Sequence, residues 1–190
     1  MKLHQKIKEC TSKDFLKNGF GHNWLGNIVI GTGICKPEDI NNDDVPMCRG
    51  AIEDIYEEDD NELTVYASSA WTPHVRMWIE VVKKLKLDLE IIYEAEEAGC
   101  GLYWTNNPAL EGKYILDCLY DDDTICEIVE KYEALDCTFK MTEEELKDFL
   151  KDILNSKEDD LGALIIKLKQ DQPGAFSINK WETVELSELD

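Results

Sequence analysis

The chain has 190 residues, 43% of them hydrophobic, which is enough to bury one sizeable core or to form one domain with an extension. Its 41 acidic residues face 20 basic ones and give a formal net charge of −21, so the surface repels nucleic acid and anionic membranes and attracts basic partners. No segment approaches the roughly 20 apolar residues of a membrane span, and the first residues lack the apolar run of a signal peptide, so we expect a cytoplasmic protein.

The cysteines favour the same compartment. Their number is odd, they are widely spaced, and no two form a CxxC pair, whereas a zinc site needs short paired spacings and a secreted scaffold needs a dense even set. We expect reduced thiols that behave as small buried hydrophobic residues. The seven residues are Cys10, Cys35, Cys48, Cys100, Cys118, Cys126 and Cys137.

In chain order, the first predicted elements are a short helix over residues 12–19 and a strand over 23–31 that ends in glycines. A helical turn is predicted at 37–40. Two strands, over 50–58 and 62–70, then face each other as a hairpin, because apolar and polar residues alternate along the second of them.

After the hairpin the apolar period changes to that of a helix, with Thr72 at the N-cap and Pro73 as the first helical residue. The predicted apolar stripe consists of Val75, Trp78, Ile79, Val82 and Leu85. Alternation over residues 87–93 predicts another strand, and residues 112–120 predict one more.

The remaining chain is predicted to hold two helices and two closing strands. The helices cover residues 124–135 and 142–155, and the second begins with a capping box from Thr142 to Glu145. The strands cover residues 161–168 and 176–186.

A hairpin followed by a helix and an antiparallel return is typical of α+β proteins. The sequence therefore predicts a ferredoxin-like antiparallel sheet covered by helices, which forms a domain over residues 1–120. Residues 121–190 are predicted to form an acidic helical and strand extension that packs on this domain.

The stretch SSAWTPHVRMW, residues 68–78, is the first place to look for catalysis. Ser68 and Ser69 end a strand, whereas His74 lies in the first turn of the next helix, and no GxSxG motif is present. A helix start explains the residues more simply: Trp71 packs, Thr72 caps, Pro73 begins the helix and His74 is exposed. We therefore expect no catalytic residues here. The alternative is a small hydrolase or transferase that uses Ser69, His74 or Cys100.

No metal or cofactor is expected. The run Asp121 to Asp123 lacks the glycine and the distal glutamate of a calcium loop, and the three histidines share no ligand spacing. Cys100 lies between glycines, but the glutamates upstream would raise the pKa of its thiol, so a reactive cysteine is not expected.

The acidic residues are gathered in two blocks. Residues 41–70 carry nine acids against Arg49, and residues 114–160 carry sixteen acids against five lysines, whereas residues 1–40 are slightly basic. On a strand, side chains of one face repeat at about 6.7 Å, so the hairpin would be a stiff ladder of negative charge. The predicted partner-binding residues are Glu53, Asp54, Glu57, Glu58, Asp59, Asp60, Glu62, Asp121, Asp122, Asp123, Glu127 and Glu130.

Three short motifs between residues 23 and 104 carry a family resemblance. Asn23, Trp24 and Asn27 match an Asn-Trp-x-x-Asn strand, the run from Ala70 to His74 matches Ala-Trp-Ser-Pro-Pro, and Tyr93-Glu94 precedes a glycine-aromatic segment at 99–103. In these motifs the chain resembles the YubB-type ferredoxin-like domain family, which plasmids and phages carry. The resemblance implies a ferredoxin-like fold and a mobile-element origin. It implies no activity.

These observations predict a non-enzymatic acidic binding protein. More specifically, they predict an inhibitor of the anti-CRISPR or anti-restriction type, encoded by a phage or plasmid, which occupies a basic nucleic-acid-binding surface of a host protein. Reversing the charge of hairpin acids such as Glu57 and Asp60 would then abolish partner binding and leave folding intact. A housekeeping domain that is acidic only for solubility is a further alternative.

Overall fold

The computed structural model describes residues 2–17, 19–57, 62–118 and 138–189, and it shows a mixed α+β protein. The chain divides into two compact units, the first made of Met1–Ile91 with Leu186–Asp190 and the second of Ile92–Glu185. The division therefore falls between Ile91 and Ile92. The predicted boundary at residue 120 lies in a stretch outside the described residues.

In the first unit, the residues that the structure describes form three α-helices and one two-stranded antiparallel sheet. In chain order these are α1 (Lys2–Thr11), α2 (Leu25–Gly31), β1 (Gly50–Glu57), β2 (Leu63–Ser69) and α3 (Val75–Leu85). The predicted hairpin is thus confirmed, and the predicted helical turn is a 3₁₀-helix, Pro37–Asp39. One core joins the elements, since Ile7 of α1, Ile28 of α2, Ile52 of β1 and Met77 of α3 all belong to the same buried cluster.

Residues 23–31 were predicted as a strand, and this prediction is wrong because most of the segment forms α2. The apolar run from Leu25 to Ile30 is buried on all sides, and a run of this kind fits a buried helix as well as a buried strand. Asn27 stabilises the helical form from inside the core. Its Nδ2 donates to the carbonyl oxygens of Gly21 and His22 at 2.9 and 3.0 Å, and its Oδ1 accepts the Phe15 N–H.

A bulge in β1 sets which residues of the hairpin face the core. Ile52 pairs with Ala67, but Asp54 pairs with Tyr66, so one residue of β1 is left over between them. This extra residue lets Ile52 and Ile55, three positions apart, both lie on the side that packs on the core. Gly50 begins the strand because a Cβ there would lie 2.0 Å from the Ser68 carbonyl oxygen.

Helix α3 begins two residues later than predicted. Its first residue is Val75, and the N-cap position is held by His74, whose side chain makes no capping hydrogen bond, so Thr72 and Pro73 lie outside the helix. Val75 and Val82 of the predicted stripe are buried, as are Met77 and Val81, which were not predicted. Two further predictions for this unit are wrong, because residues 12–17 form no helix and residues 87–91 form no strand.

The described residues of the second unit form two three-stranded sheets and two α-helices. Its elements are β3 (Glu94–Glu97), β4 (Leu102–Thr105), β5 (Tyr114–Cys118), β6 (Thr138–Met141), α4 (Glu143–Ile153), α5 (Leu161–Asp171), β7 (Phe176–Lys180) and β8 (Glu182–Thr183). One sheet has the order β3-β4-β8, with β4 and β8 parallel, and the other has the antiparallel order β6-β5-β7. The strand predicted over 112–120 is thus confirmed as β5, while the helix predicted over 124–135 lies outside the described residues.

The central strand of the β6-β5-β7 sheet contributes buried residues on both faces. Leu116 of β5 belongs to the cluster formed with α4 and α5, whereas its neighbour Ile115 packs with Tyr103 and Trp181. The two rings of that second cluster meet edge to face at a centroid distance of 5.6 Å. Because successive residues of a strand point to opposite faces, one strand supplies both cores.

The C-terminal predictions are confirmed in part. The capping box of α4 is present, with the Thr142 hydroxyl accepting from the Glu145 N–H and the Glu145 carboxylate accepting from the Thr142 N–H. The strand predicted over 161–168 is wrong, because this segment forms α5, capped by the Asp160 carboxylate. The strand predicted over 176–186 is present as the shorter β7 and β8.

The prediction of an α+β protein is confirmed, and its ferredoxin-like form is not. That form needs one antiparallel sheet over the first part of the chain, whereas the described strands form one two-stranded and two three-stranded sheets. Among the described residues, no helix is both long enough and apolar enough to cross a membrane.

Candidate binding surfaces of the first unit

The first candidate surface is the acidic ribbon, which we define as β1, β2 and Glu62, the residue that directly precedes β2. Four of the predicted partner-binding residues are described, and all four are exposed: Glu53, Asp54, Glu57 and Glu62. The others lie outside the described residues: Glu58, Asp59, Asp60, Asp121, Asp122, Asp123, Glu127 and Glu130. Three of these exposed carboxylates lie on β1, and Glu62 directly precedes β2, so the described acids of the ribbon are concentrated along one of its two strands.

Two tyrosines lie on the outward face of this ribbon. Tyr56 and Tyr66 are 51% and 56% exposed, and their rings meet edge to face at a centroid distance of 5.7 Å. The Tyr56 hydroxyl donates to the Asp54 carboxylate at 2.5 Å, which lowers the pKa of Asp54 and raises that of Tyr56. Asp54 therefore stays ionised beside the aromatic pair.

The end of β1 is tied to α1. The Glu57 carboxylate lies 2.8 Å from Nδ1 of His4, and this hydrogen bond is the largest cause of a lowered Glu57 pKa. The Glu57 carboxylate is thus already engaged by a side chain of its own unit.

The second candidate surface begins at the link from β2 to α3. The Thr72 N–H donates to the Ala70 carbonyl oxygen at 3.0 Å, which closes a three-residue turn with Trp71 at its centre. The φ angle of Trp71 is +76°, and a γ-turn with positive φ is the strained form of that turn. The sequence predicted that Trp71 packs, and this is wrong, because its side chain is 82% exposed.

The carbonyl oxygen of Arg49 forms hydrogen bonds to residues on either side of Trp71. The Arg49 carbonyl accepts the Ala70 N–H at 2.8 Å and is 2.9 Å from His74 Nε2, which must donate because a carbonyl oxygen can only accept. His74 was predicted to be exposed, but it is buried, with 7% exposure. Burial lowers its pKa, and the bond to Arg49 opposes that shift.

A groove of about 1050 Å³ opens beside this turn. Its lining includes Arg49 and Arg76. These are the two arginines of the sequence, in which the other 18 of the 20 basic residues are lysines. Both arginines are exposed, and Asp43 is the acidic residue in the described lining. Arginines thus outnumber acids in the described lining, on a molecule whose formal charge is −21.

Several large apolar side chains that line the groove are exposed to solvent. Phe20 and Met47 are 66% and 53% exposed, and with Trp71 they all line it. Ile40, Val45 and Pro46 supply further apolar lining. Aromatic residues, methionine and arginine are enriched in protein interfaces, so the composition is that of a binding surface.

The sequence analysis missed this groove. One signal could have indicated it, since arginine occurs only twice in the sequence and one of the two follows directly on Thr72-Pro73-His74-Val75. What could not be predicted is that β1 and β2 pair in a register that sets Gly50 opposite Ser69. This pairing places Arg49 next to Ala70, 21 residues away in the chain.

The residues of the enzymatic alternative are divided between the two units. Ser69 is exposed at the end of β2, His74 is engaged with Arg49, and Cys100 is exposed in the second unit, in a 3₁₀-helix at Ala98–Cys100. Within the described ranges, no group of three or more His, Cys, Asp or Glu side chains could hold a metal ion.

The described cysteines follow the prediction unevenly. Cys10 and Cys48 are buried, Cys35 is half-buried and Cys100 is exposed, and none of the four is in a disulfide. Burial raises the pKa of the Cys48 thiol to about 11, so this residue of the groove lining is a neutral thiol near neutral pH. The exposed Cys100 is the one that contradicts the predicted burial.

Comparisons with family models, with curated proteins and with solved structures found no match to this chain. The resemblance to the YubB-type family therefore stays a prediction. Of its motifs, the segment that begins at Asn23 was expected to be a strand and is largely helix α2.

Proposed function

We propose that this is a non-enzymatic binding protein whose acidic ribbon covers a basic, nucleic-acid-binding surface of a partner protein. The observation that carries the proposal is the outward face of the ribbon, where two half-exposed tyrosines lie beside the ionised Asp54. Tyrosine is enriched among the residues that dominate protein interfaces, because its ring is rigid and its hydroxyl can hydrogen-bond. Such a pair is an anchor for a protein partner.

The charge around the anchor selects the chemistry of the partner. Glu53, Glu57 and Glu62 are exposed on the same ribbon, and carboxylates held there repel the phosphates of nucleic acid. A groove that binds nucleic acid presents lysine and arginine to phosphates, and it gains affinity by releasing counterions. Carboxylates spaced along a strand can occupy the same cations.

An inhibitor is the specific form of this proposal. A protein that occupies a nucleic-acid-binding groove prevents the nucleic acid from entering it, and a restriction or CRISPR effector is a target of that kind. The resemblance to a plasmid- and phage-borne family is in keeping with this form.

Charge reversal on the ribbon tests the proposal. We expect the triple variant Glu53→Lys, Asp54→Lys, Glu62→Lys to fold as the parent does, because all three side chains are exposed. Its affinity for basic proteins captured from a host lysate should fall at least about tenfold, since close charge pairs across an interface contribute strongly. Quantitative pull-downs at low and high salt, with thermal unfolding as the check on folding, measure both properties.

The matched control reverses three other exposed acids of the same unit: Glu38→Lys, Asp88→Lys and Glu90→Lys. It changes the net charge equally and should keep most of the binding. Equal losses in the two variants would mean that total charge alone attracts the partner, and the ribbon would then have no special role.

A further inference from the structure

We propose that the groove binds a second kind of partner, namely a protein segment in which carboxylates flank a leucine-type side chain. The groove is lined by Arg49 and Arg76, the two arginines of the sequence, beside the exposed indole of Trp71. This site is separate from the proposed role of the ribbon and does not depend on it.

The arginines determine the charge of the ligand. A guanidinium offers a planar fork of N–H donors that matches a carboxylate, and it also stacks on aromatic rings. Lysines are the commoner cations of this chain, yet the described lining contains none of them. The cations of the groove are therefore arginines, the residue type that is favoured in interface ion pairs. In the sequence as a whole, acidic residues outnumber basic ones.

Trp71 is held out into solvent against a conformational preference. A bulky residue with a φ of +76° is strained, and an 82% exposed side chain gains almost nothing from burial in return. The conformation persists because the Arg49 carbonyl fixes both Ala70 and His74. Strain that the surroundings enforce is typical of ligand clamps, so we infer that the indole closes over a bound group.

The apolar lining determines the rest of the ligand. Met47, which is 53% exposed, lines the groove, and methionine adapts to aliphatic side chains of different shape. Leu189 of the chain itself is also part of the lining, and it belongs to the acidic run Glu185, Leu186, Ser187, Glu188, Leu189. The groove thus already accepts a leucine side chain, and the residue before it in the chain is the glutamate Glu188.

A nucleotide suits the groove less well than an acidic peptide does. The described lining holds two guanidinium groups and the carboxylate of Asp43, a combination that suits single carboxylates better than a chain of phosphates. Phosphate sites use backbone N–H groups of glycine-rich loops or clustered cations. The glycine in the described lining is Gly50, which is a strand residue paired with Ser69.

Isothermal titration calorimetry with the capped peptide ELSEL, the sequence of residues 185–189, tests this inference on the full chain. We expect saturable binding that weakens at least about tenfold in Arg49→Gln and in Arg76→Gln, because each change removes charged hydrogen bonds. Lys84→Gln is the matched control, since it removes one exposed cation of the same unit outside the groove lining, and it should bind as the parent does. Peptides with serine for leucine, or with lysine for glutamate, should bind much more weakly.

Two more variants keep the test decisive. Trp71→Gly should bind at least about tenfold more weakly while its melting temperature stays equal or rises, because glycine relieves the positive φ. Leu189→Ser removes the chain's own leucine from the groove and should bind the peptide more tightly. The proposal is overturned if neither the parent nor Leu189→Ser binds ELSEL, if the arginine variants bind it unchanged, or if ATP displaces it at equal concentration.

Discussion

At the scale of the residue, His74 links pH to the stability of the first unit. Its pKa is lowered from 6.5 because the buried imidazole is poorly solvated. The unfolded chain therefore takes up a proton near pH 6.5 that the folded chain does not, so this residue makes stability fall as the pH drops below that value.

The variant His74→Gln tests this linkage. Glutamine keeps an N–H donor for the Arg49 carbonyl but does not titrate, so the loss of unfolding free energy between about pH 7 and about pH 5 should be smaller in the variant. Chemical denaturation of both proteins at the two pH values provides the comparison. Equal losses would show that His74 is protonated as easily in the folded protein as in the unfolded chain.

The sequence predicted the approximate secondary structure of the residues around His74, but not which of their side chains are buried. Trp71, Pro73 and His74 were recognised as the end of a link and the start of a helix, which is close to what the structure shows. Their burial was predicted in reverse, with His74 outside and Trp71 inside. Burial here depends on the Arg49 carbonyl, and the chain separation of 25 residues between Arg49 and His74 leaves no local trace of that contact.

At the scale of the element, prediction succeeded where a periodic apolar pattern was joined by a second local signal, whereas the alternation over residues 87–93 alone predicted a strand that does not form. Helix α4 shows this, since both its stripe and its capping box were readable. Helices α2 and α5 were mistaken for strands because short apolar runs with β-branched residues satisfy both periods. Asn27 and Asp160, whose side chains bond the backbone around these helices, would have favoured the helical reading.

The capping box of α4 provides a prediction for the second unit. Thr142→Ala should lower the free energy of unfolding by about 1 kcal/mol, the usual effect of losing an N-cap hydroxyl. Hydrogen bonds from the backbone and side chain of Thr142 lower the pKa of Glu145 from 4.5, so Glu145→Gln should also destabilise above that pH.

The pH dependence separates the Glu145 effect from a general loss of charge. The contribution of an acid with a lowered pKa is present above 4.5 and is lost as the pH falls through the folded value, so the difference between Glu145→Gln and the parent should shrink in acid. Glu144→Gln, an exposed change in the same helical turn, is the control and should show a smaller difference. Equal effects of the two substitutions, measured by denaturation across this range, would contradict the role of the cap.

At the scale of the whole molecule, the sequence predicted the hairpin and the exposure of its described acids. Glu53, Asp54, Glu57 and Glu62 are exposed on or beside β1 and β2, and this was predictable because a hairpin needs only local pairing. The arginine groove was not predictable in the same way. Its lining comes from segments between Phe20 and Met77 together with Leu189, and only the folded chain assembles them.

A competition measurement tests the central claim, that the ribbon occupies a nucleic-acid-binding surface. A captured partner is first bound to labelled duplex DNA, and this protein is then titrated in while the anisotropy of the DNA is followed. We predict release of the DNA by the parent protein at stoichiometric amounts, with an apparent affinity that falls with salt, and much weaker release by the Glu53→Lys, Asp54→Lys, Glu62→Lys variant. A stable complex that contains the partner, the DNA and this protein together would contradict the claim.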